Sequence, residues 1–370
     1  MQTFHNHVSK RVAAILVAVA AVGMATACGD GVDRHSSESG RNGTPTGGVD
    51  LTGAGATFPY PLYSKWFAMY AEKTGVKINY QSIGSGGGIR QLSERTVDFG
   101  ASDAPMTDEE MGRATGGSVL HVPTVLGAVV VTYNLPGVSD ALKLSGDVVA
   151  DIFLGRITRW SDTRIASLND GVTLPDADIL VVHRSDGSGT TYIFTDFLNA
   201  VSPAWSRGPG KGKEVQWPAG LGAKGNEGVA GQVKQTPGAI GYVELAYATQ
   251  NRLPTASIQN PEGHFVAPTI DAVTAAAAGA IGSLTDETDY RISIVNAPGA
   301  MSYPISSFTW MLVYRNGGDS VKTKKLTEFL VWALHEGGQS AASLDYAPLP
   351  GSMVSRLDSV VRSISAGSSK

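Results

Sequence analysis

From Leu51 onward, short apolar or β-branched runs alternate with amphipathic stretches, and glycine, proline or asparagine marks each join. Tyr63, Trp66, Phe67 and Tyr70 recur at helical spacing, which predicts a helix over 60–73. The alternation Val76-Lys77-Ile78-Asn79-Tyr80 predicts a strand just after it. Further helices are predicted over 89–95, 191–198, 227–235 and, on an alanine-rich run, 271–279; a strand over 179–182 precedes the second of these. This βαβα rhythm implies an α/β fold with a largely parallel sheet. In such sheets ligands sit at the carboxyl ends of the strands, where strand-to-helix loops gather.

Two longer runs, 122–133 and 306–314, are rich in Val, Phe, Trp or Tyr, with Pro123, Pro136 and Pro304 in or beside them. They read as two strand crossings between lobes. Residues 50–132 with 307–368 then form lobe one, and 133–306 form lobe two. A length of 370 residues suits about two domains. With 42% hydrophobic residues there is material for two cores.

Ahead of Leu51 the pattern changes. Lys10 and Arg11 precede an uncharged run from Val12 to Val22, and small residues lead to Ala25-Thr26-Ala27-Cys28. That is the layout of an export signal over 1–27, and the run is shorter than the roughly 20 apolar residues of a spanning helix. Cys28 is the only cysteine, so no intramolecular disulfide is available to it. Residues 28–49 are mostly small and polar and read as a flexible tether. The formal charge is −4, and losing Lys10 and Arg11 with the signal makes the mature chain more acidic still. A mildly acidic chain with no basic stripe is a poor nucleic-acid binder, so no nucleic-acid partner is expected.

The candidate chemistry lies in four polar segments. Three place hydroxyl or glycine residues just ahead of a helical pattern: Ala56-Thr57-Phe58-Pro59, Gly84 to Gly88, and Asp186-Gly187-Ser188-Gly189-Thr190. Helix starts carry unpaired N–H groups and the positive end of the dipole, and glycine lets the backbone approach a ligand. Several such ends converging would cage an oxyanion without a lysine. The fourth segment, Ala101 to Pro105, offers the carboxylate of Asp103 instead. A carboxylate repels an anion unless the anion still has a proton to donate, which favours phosphate over sulfate.

Each segment also has a plainer reading. Ser188 suits a helix cap with Arg184 in a surface ion pair, and Asp103 suits a cap for the helix starting near Thr107. The glycine-rich stretch 208–231 reads as a surface loop, with anion binding at the start of its helix as the alternative. Gly84 to Gly88 lacks the third glycine of a dinucleotide fingerprint, and Ile83 stands where a nucleophile elbow needs glycine. His5, His7, His121, His183, His264 and His335 show no ligand spacing, so no metal, cofactor or catalytic residue is expected.

Taken together, Thr52 to Pro59, Ile83 to Gly88, Val97 to Pro105, Asp186 to Thr190 and Thr236 to Glu244 resemble the phosphate-binding subunit of bacterial phosphate ABC transporters. The resemblance runs from about Leu51 to the C-terminus. It implies a two-lobed periplasmic-binding-protein fold of the type II kind that closes on inorganic phosphate for a membrane permease and its ATPase. Carried over residue by residue, the phosphate contacts are Thr57, Phe58 through its backbone, Ser85, Asp103, Arg184, Ser188, Gly189 and Thr190, with Asp186 orienting the arginine. Bacterial lipoproteins are the model for the N-terminus: Cys28 becomes the lipidated first residue, holding the protein on the outer face of the cell membrane. Ala25 departs from their pattern, which usually has a large aliphatic residue there. The rival readings are a module for another oxyanion, a phosphate-sensing surface protein, and a secreted phosphatase using Ser188.

Overall fold

The computed structural model describes residues 50–138, 141–280, 282 and 289–366. The export signal, the tether and Cys28 lie outside the described residues.

The elements in chain order begin with β1 (Leu51–Gly55), α1 (Tyr60–Thr74), β2 (Ile78–Ser82), α2 (Ser85–Ser93), β3 (Phe99–Ser102), α3 (Asp108–Arg113) and β4 (Val119–Tyr133). There follow β5 (Lys143–Leu144), α4 (Gly146–Phe153), α5 (Thr163–Ala166), β6 (Leu180–Arg184), α6 (Gly189–Val201), α7 (Pro203–Arg207), β7 (Leu221–Ala223), α8 (Gly225–Gln235), β8 (Ala239–Glu244) and α9 (Leu245–Asn251). The rest comprises β9 (Ser257–Gln259), β10 (Phe265–Val266), α10 (Ile270–Ala280), β11 (Ser306–Tyr314), α11 (Ser320–Leu334) and α12 (Gly351–Arg362).

One eight-stranded sheet organises the chain, in the order β2-β1-β3-β11-β4-β8-β6-β7. Its two flanks are parallel: β1 pairs with β2 and β3, and β6 pairs with β7 and β8. Its centre is antiparallel, because β11 runs against β3 and β4, and β4 runs against β8. The largely parallel sheet expected from the βαβα rhythm is therefore a mixed one. The cause lies in the two long runs, which occupy the middle of the sheet. β4 pairs with β11 over Val119–Ala128 and then with β8 over Val129–Tyr133, so it joins one flank directly and the other through β11.

Proline shapes this central pair. Pro123 has no N–H to give the ladder, and the register of β4 against β11 shifts there, leaving Thr124 without a partner in the pairing. The Thr124 hydroxyl instead reaches Thr309 O at 3.2 Å and Tyr63 Oη at 2.8 Å.

Each flank has its own aromatic cluster. On the β1–β3 side, Tyr63, Phe67, Tyr80, Phe99 and Phe329 pack ring to ring at 5.5–6.2 Å between centroids. On the β6–β8 side, Tyr242 stacks on Phe194 at 4.3 Å, and Phe153 and Trp217 pack against it. Ring pairs in such offset or tilted geometry contribute beyond their buried area.

Two helices start earlier than periodicity predicts. The helix expected over 89–95 begins at Ser85, and the one expected over 191–198 begins at Gly189. The polar segments 84–88 and 186–190 are thus not loops ahead of helices, since their last residues form the first turns of α2 and α6.

Candidate functional site

β1, β2 and β3 run opposite to β6, and because β4 pairs with β11 over its first part and with β8 over its last, the two sets of strands are offset along it and turn their carboxyl ends, each followed by a polar segment, toward each other. β1 ends at Gly55 before Thr57-Phe58, β2 at Ser82 before Ser85, β3 at Ser102 before Asp103, and β6 at Arg184 before Ser188-Gly189-Thr190. Thr57, Phe58, Ser85, Asp103, Arg184, Ser188, Gly189 and Thr190 are all buried, and Asp186 is partly so.

The structure brings most of these residues into direct contact across the two flanks. Ser85 is the meeting point: its Oγ accepts from the Gly189 N–H at 3.0 Å and from the Asp103 N–H at 3.2 Å. The Gly86 N–H donates to Gly187 O at 2.9 Å beside it. Further out, Lys213 pairs with Glu110 at 2.5 Å and Arg291 with Asp108 at 2.9 Å.

Arg184 is buried rather than on the surface, so a surface ion pair does not describe it. Its Nε and Nη2 hold the two oxygens of Asp186 at 2.8 and 2.6 Å, a fork that leaves Nη1 toward Thr190 Oγ1 at 3.4 Å. Burial alone would raise the Asp186 carboxyl, but the Arg184 hydrogen bonds and charge, with the Gly225 N–H, hold it below the usual carboxylate range. The pair is close to neutral as a unit.

Ser188 does cap α6, accepting from the Thr191 N–H at 3.0 Å. A hydroxyl that accepts at a cap still has its proton to give, so capping and ligand binding are compatible. Asp103 is no cap: Thr107 and Glu110 form a reciprocal capping box at α3.

Asp103 is 1% exposed, and its Oδ1 accepts from the Thr309 hydroxyl at 2.7 Å. Burial pushes its carboxyl up to about 7, although Thr309, the Arg184 charge and Ser85 all favour the ionised form. A carboxylate poised there exchanges a proton readily with a partner.

Two tyrosines orient the successive peptides Thr57–Phe58 and Phe58–Pro59. Tyr247 donates to Thr57 O at 2.6 Å and Tyr346 to Phe58 O at 2.6 Å. In a trans peptide the N–H points opposite its C=O, so Tyr247 fixes the direction of the Phe58 N–H.

Several residues here carry no signal in the sequence. Asn226 lies fully buried in the first turn of α8, with Nδ2 at 2.7 Å from Thr57 Oγ1 and 3.1 Å from Thr190 Oγ1. The stretch 208–231 is thus not only a surface loop; its last residues, with Gly225, reach this cluster. The closing Glu of the 236–244 motif, Glu244, caps α9, and its Oε2 lies 3.0 Å from the Tyr346 hydroxyl oxygen. Burial raises the Glu244 carboxyl well above its ordinary value. A glycine ahead of Asn226 pointed to a helix start, but a threonine inside a β-run, such as Thr309, looks like any other strand residue. Among the described residues, no group of three or more His, Cys, Asp or Glu is placed to hold a metal ion.

A family model described as a PBP superfamily domain matches residues 37–336. The phosphate-binding protein PstS of Pasteurella multocida is 46% identical over 308 residues, covering 83% of this chain and 88% of that one. The PstS of Xylella fastidiosa strain 9a5c is 43% identical over 342 residues, covering 90% and 93%. A high-affinity periplasmic phosphate-binding protein, PfluDING, solved with phosphate bound, superposes with a TM-score of 0.68 over 84% of this chain and 93% of its own, at 22% identity. That last likeness is one of fold.

Proposed function

The chain belongs to the PstS family of phosphate-binding proteins within the PBP superfamily, and from that premise we infer that its buried polar cluster is a site for inorganic phosphate. On this reading it is an extracytoplasmic substrate-binding protein that delivers phosphate to an ABC permease and ATPase for import, and not an enzyme. The observation that carries the reading is the convergence of Thr57, Ser85 and Asp103 from one flank with Arg184 and Ser188–Thr190 from the other into one buried cluster.

The donors are the hydroxyls of Thr57, Ser85, Ser188 and Thr190, the N–H groups of Phe58, Gly189 and Thr190, and Arg184 Nη1. Hydrogen bonds to a charged group contribute about 1.5–3 kcal/mol each, so this set offsets the heavy desolvation of the anion. The Ser85–Gly189 hydrogen bond spans the flanks directly. A phosphate replaces it with bonds from both partners to itself, which requires the flanks to part and close again.

The flanks act as the two lobes, residues 50–132 with 307–368 and residues 133–306. Their hinge is at β4 and β11, and the closed form is what the permease engages. Cys28 carries a lipid anchor, and the tether lets the protein stand off the outer face of the cell membrane. No helix among the described residues is long and apolar enough to cross a membrane.

Asp103 supplies selectivity. It accepts the proton that hydrogen phosphate retains, and sulfate has none to offer. Isothermal titration against phosphate, sulfate and molybdate tests the reading, which fails if phosphate does not bind. Asp103→Asn should lower phosphate-over-sulfate preference by at least about tenfold, because the amide no longer requires a donor on the ligand. Unchanged preference removes Asp103 from that role.

A further inference from the structure

We propose that Asn226 is a positioning residue of the anion site: its amide holds the Thr57 and Thr190 hydroxyls as acceptors and so turns both hydroxyl protons toward the ligand. The inference rests on the phosphate reading above. It starts from the orientation of the amide, which shape alone does not define. The Glu244 backbone N–H lies 3.0 Å from one end of it and can only donate, so that end is Oδ1. Nδ2 then faces Thr57 Oγ1 at 2.7 Å and Thr190 Oγ1 at 3.1 Å. An amide nitrogen has two hydrogens and no acceptor site, so both hydroxyls accept from it.

Each hydroxyl oxygen has two acceptor positions and one proton. The second donor at Thr57 Oγ1 is the Asn226 N–H at 3.3 Å, and at Thr190 Oγ1 it is Arg184 Nη1 at 3.4 Å. With donors on both acceptor positions, each threonine has only its proton left to give. That arrangement suits a ligand made of acceptors, and it is neutral. Asn226 also ties the two flanks together, since Thr57 follows β1 while Thr190 and Asn226 lie in α6 and α8.

The test is a double-mutant cycle on the full chain, combining Asn226→Leu with Thr57→Val/Thr190→Val, read as phosphate affinity by titration and as ligand-free melting temperature. Asn226→Leu should weaken phosphate by about tenfold or more in the native background and by less than about threefold in the valine background. Equal weakening in both backgrounds overturns the proposal, because Asn226 would then act on the fold and not through the hydroxyls. Asn226→Asp keeps the volume but accepts where the amide donated, so it should recruit the hydroxyl protons and weaken phosphate at least as far as the leucine variant does. It decides the matter if the leucine variant does not fold or the valine background binds too weakly to titrate, since native-like affinity in it also overturns the proposal. A native protein that fails to bind phosphate removes the phosphate reading and this inference with it, whereas native binding without coupling removes this inference alone.

Discussion

The Asp103 carboxyl is held at about 7, because burial outweighs Thr309, Arg184 and Ser85, all of which favour its ionised form. A folded value raised above the unfolded 3.8 means that the folded chain keeps a proton which the unfolded chain has released. Stability from this group is therefore complete below about pH 4, falls as pH rises toward 7 and is flat above. Asp103→Asn should accordingly stabilise the ligand-free protein at about pH 8, by on the order of 1–4 kcal/mol. Urea unfolding should show that advantage shrinking as pH is lowered toward 4, and a pH-independent difference contradicts it. The same group makes sulfate a better competitor at low pH, once Asp103 takes its proton from solvent. Competition titrations at two pH values on either side of 7 measure that. Ser85 and the Arg184–Thr190 string could be picked out from the chain because polar residues beside glycine are conspicuous, and Asp103 because it is the carboxylate of a short polar segment after a strand. Asn226 and Thr309 could not, since their partners are Thr57 and Asp103, far away along the sequence.

At the level of elements, glycines in the first turns of α2 serve two different packing demands. A Cβ on Gly88 would lie 2.5 Å from Ala54 O and Gly55 Cα, within its own flank. Gly88→Ala should therefore destabilise the fold with or without ligand, by about 1–3 kcal/mol in chemical denaturation. The three atoms nearest a Cβ on Gly86 all belong to Gly187, across the flanks, the first being its Cα at 3.2 Å. Gly86→Ala should leave ligand-free stability within about 1 kcal/mol of native, helped by the better helix former, yet weaken phosphate binding several-fold. If titration shows native affinity for that variant, contact between Gly86 and Gly187 is not needed for the bound form. Periodicity located α1, β11 and α10 to within a residue or two but started α2 and α6 late. Their first turns carry glycine and hydroxyl residues in place of an apolar stripe, so the hydrophobic pattern has nothing to mark there.

Over the whole molecule, β4 pairs with β8 at one end and, at the other, with β11, which in turn pairs with β3. A ligand held by both flanks should compact the protein and stabilise it. Small-angle scattering should show a smaller radius of gyration with phosphate than without, and an identical radius argues against hinge closure. Phosphate at a hundredfold excess over its dissociation constant should add about 2.7 kcal/mol to stability, seen as a rise in melting temperature. By itself the sequence determined the α/β class, the helix faces, the long central runs and the polar turns, because each follows from local periodicity or from glycine and hydroxyl chemistry within a few residues. Only the tertiary structure decided the mixed central pairing, the burial of Arg184 with Asp186, the elevated Asp103 and the amide between Thr57 and Thr190. Those depend on which distant segments meet and on how much water they exclude, and neither quantity is written in any short stretch of chain.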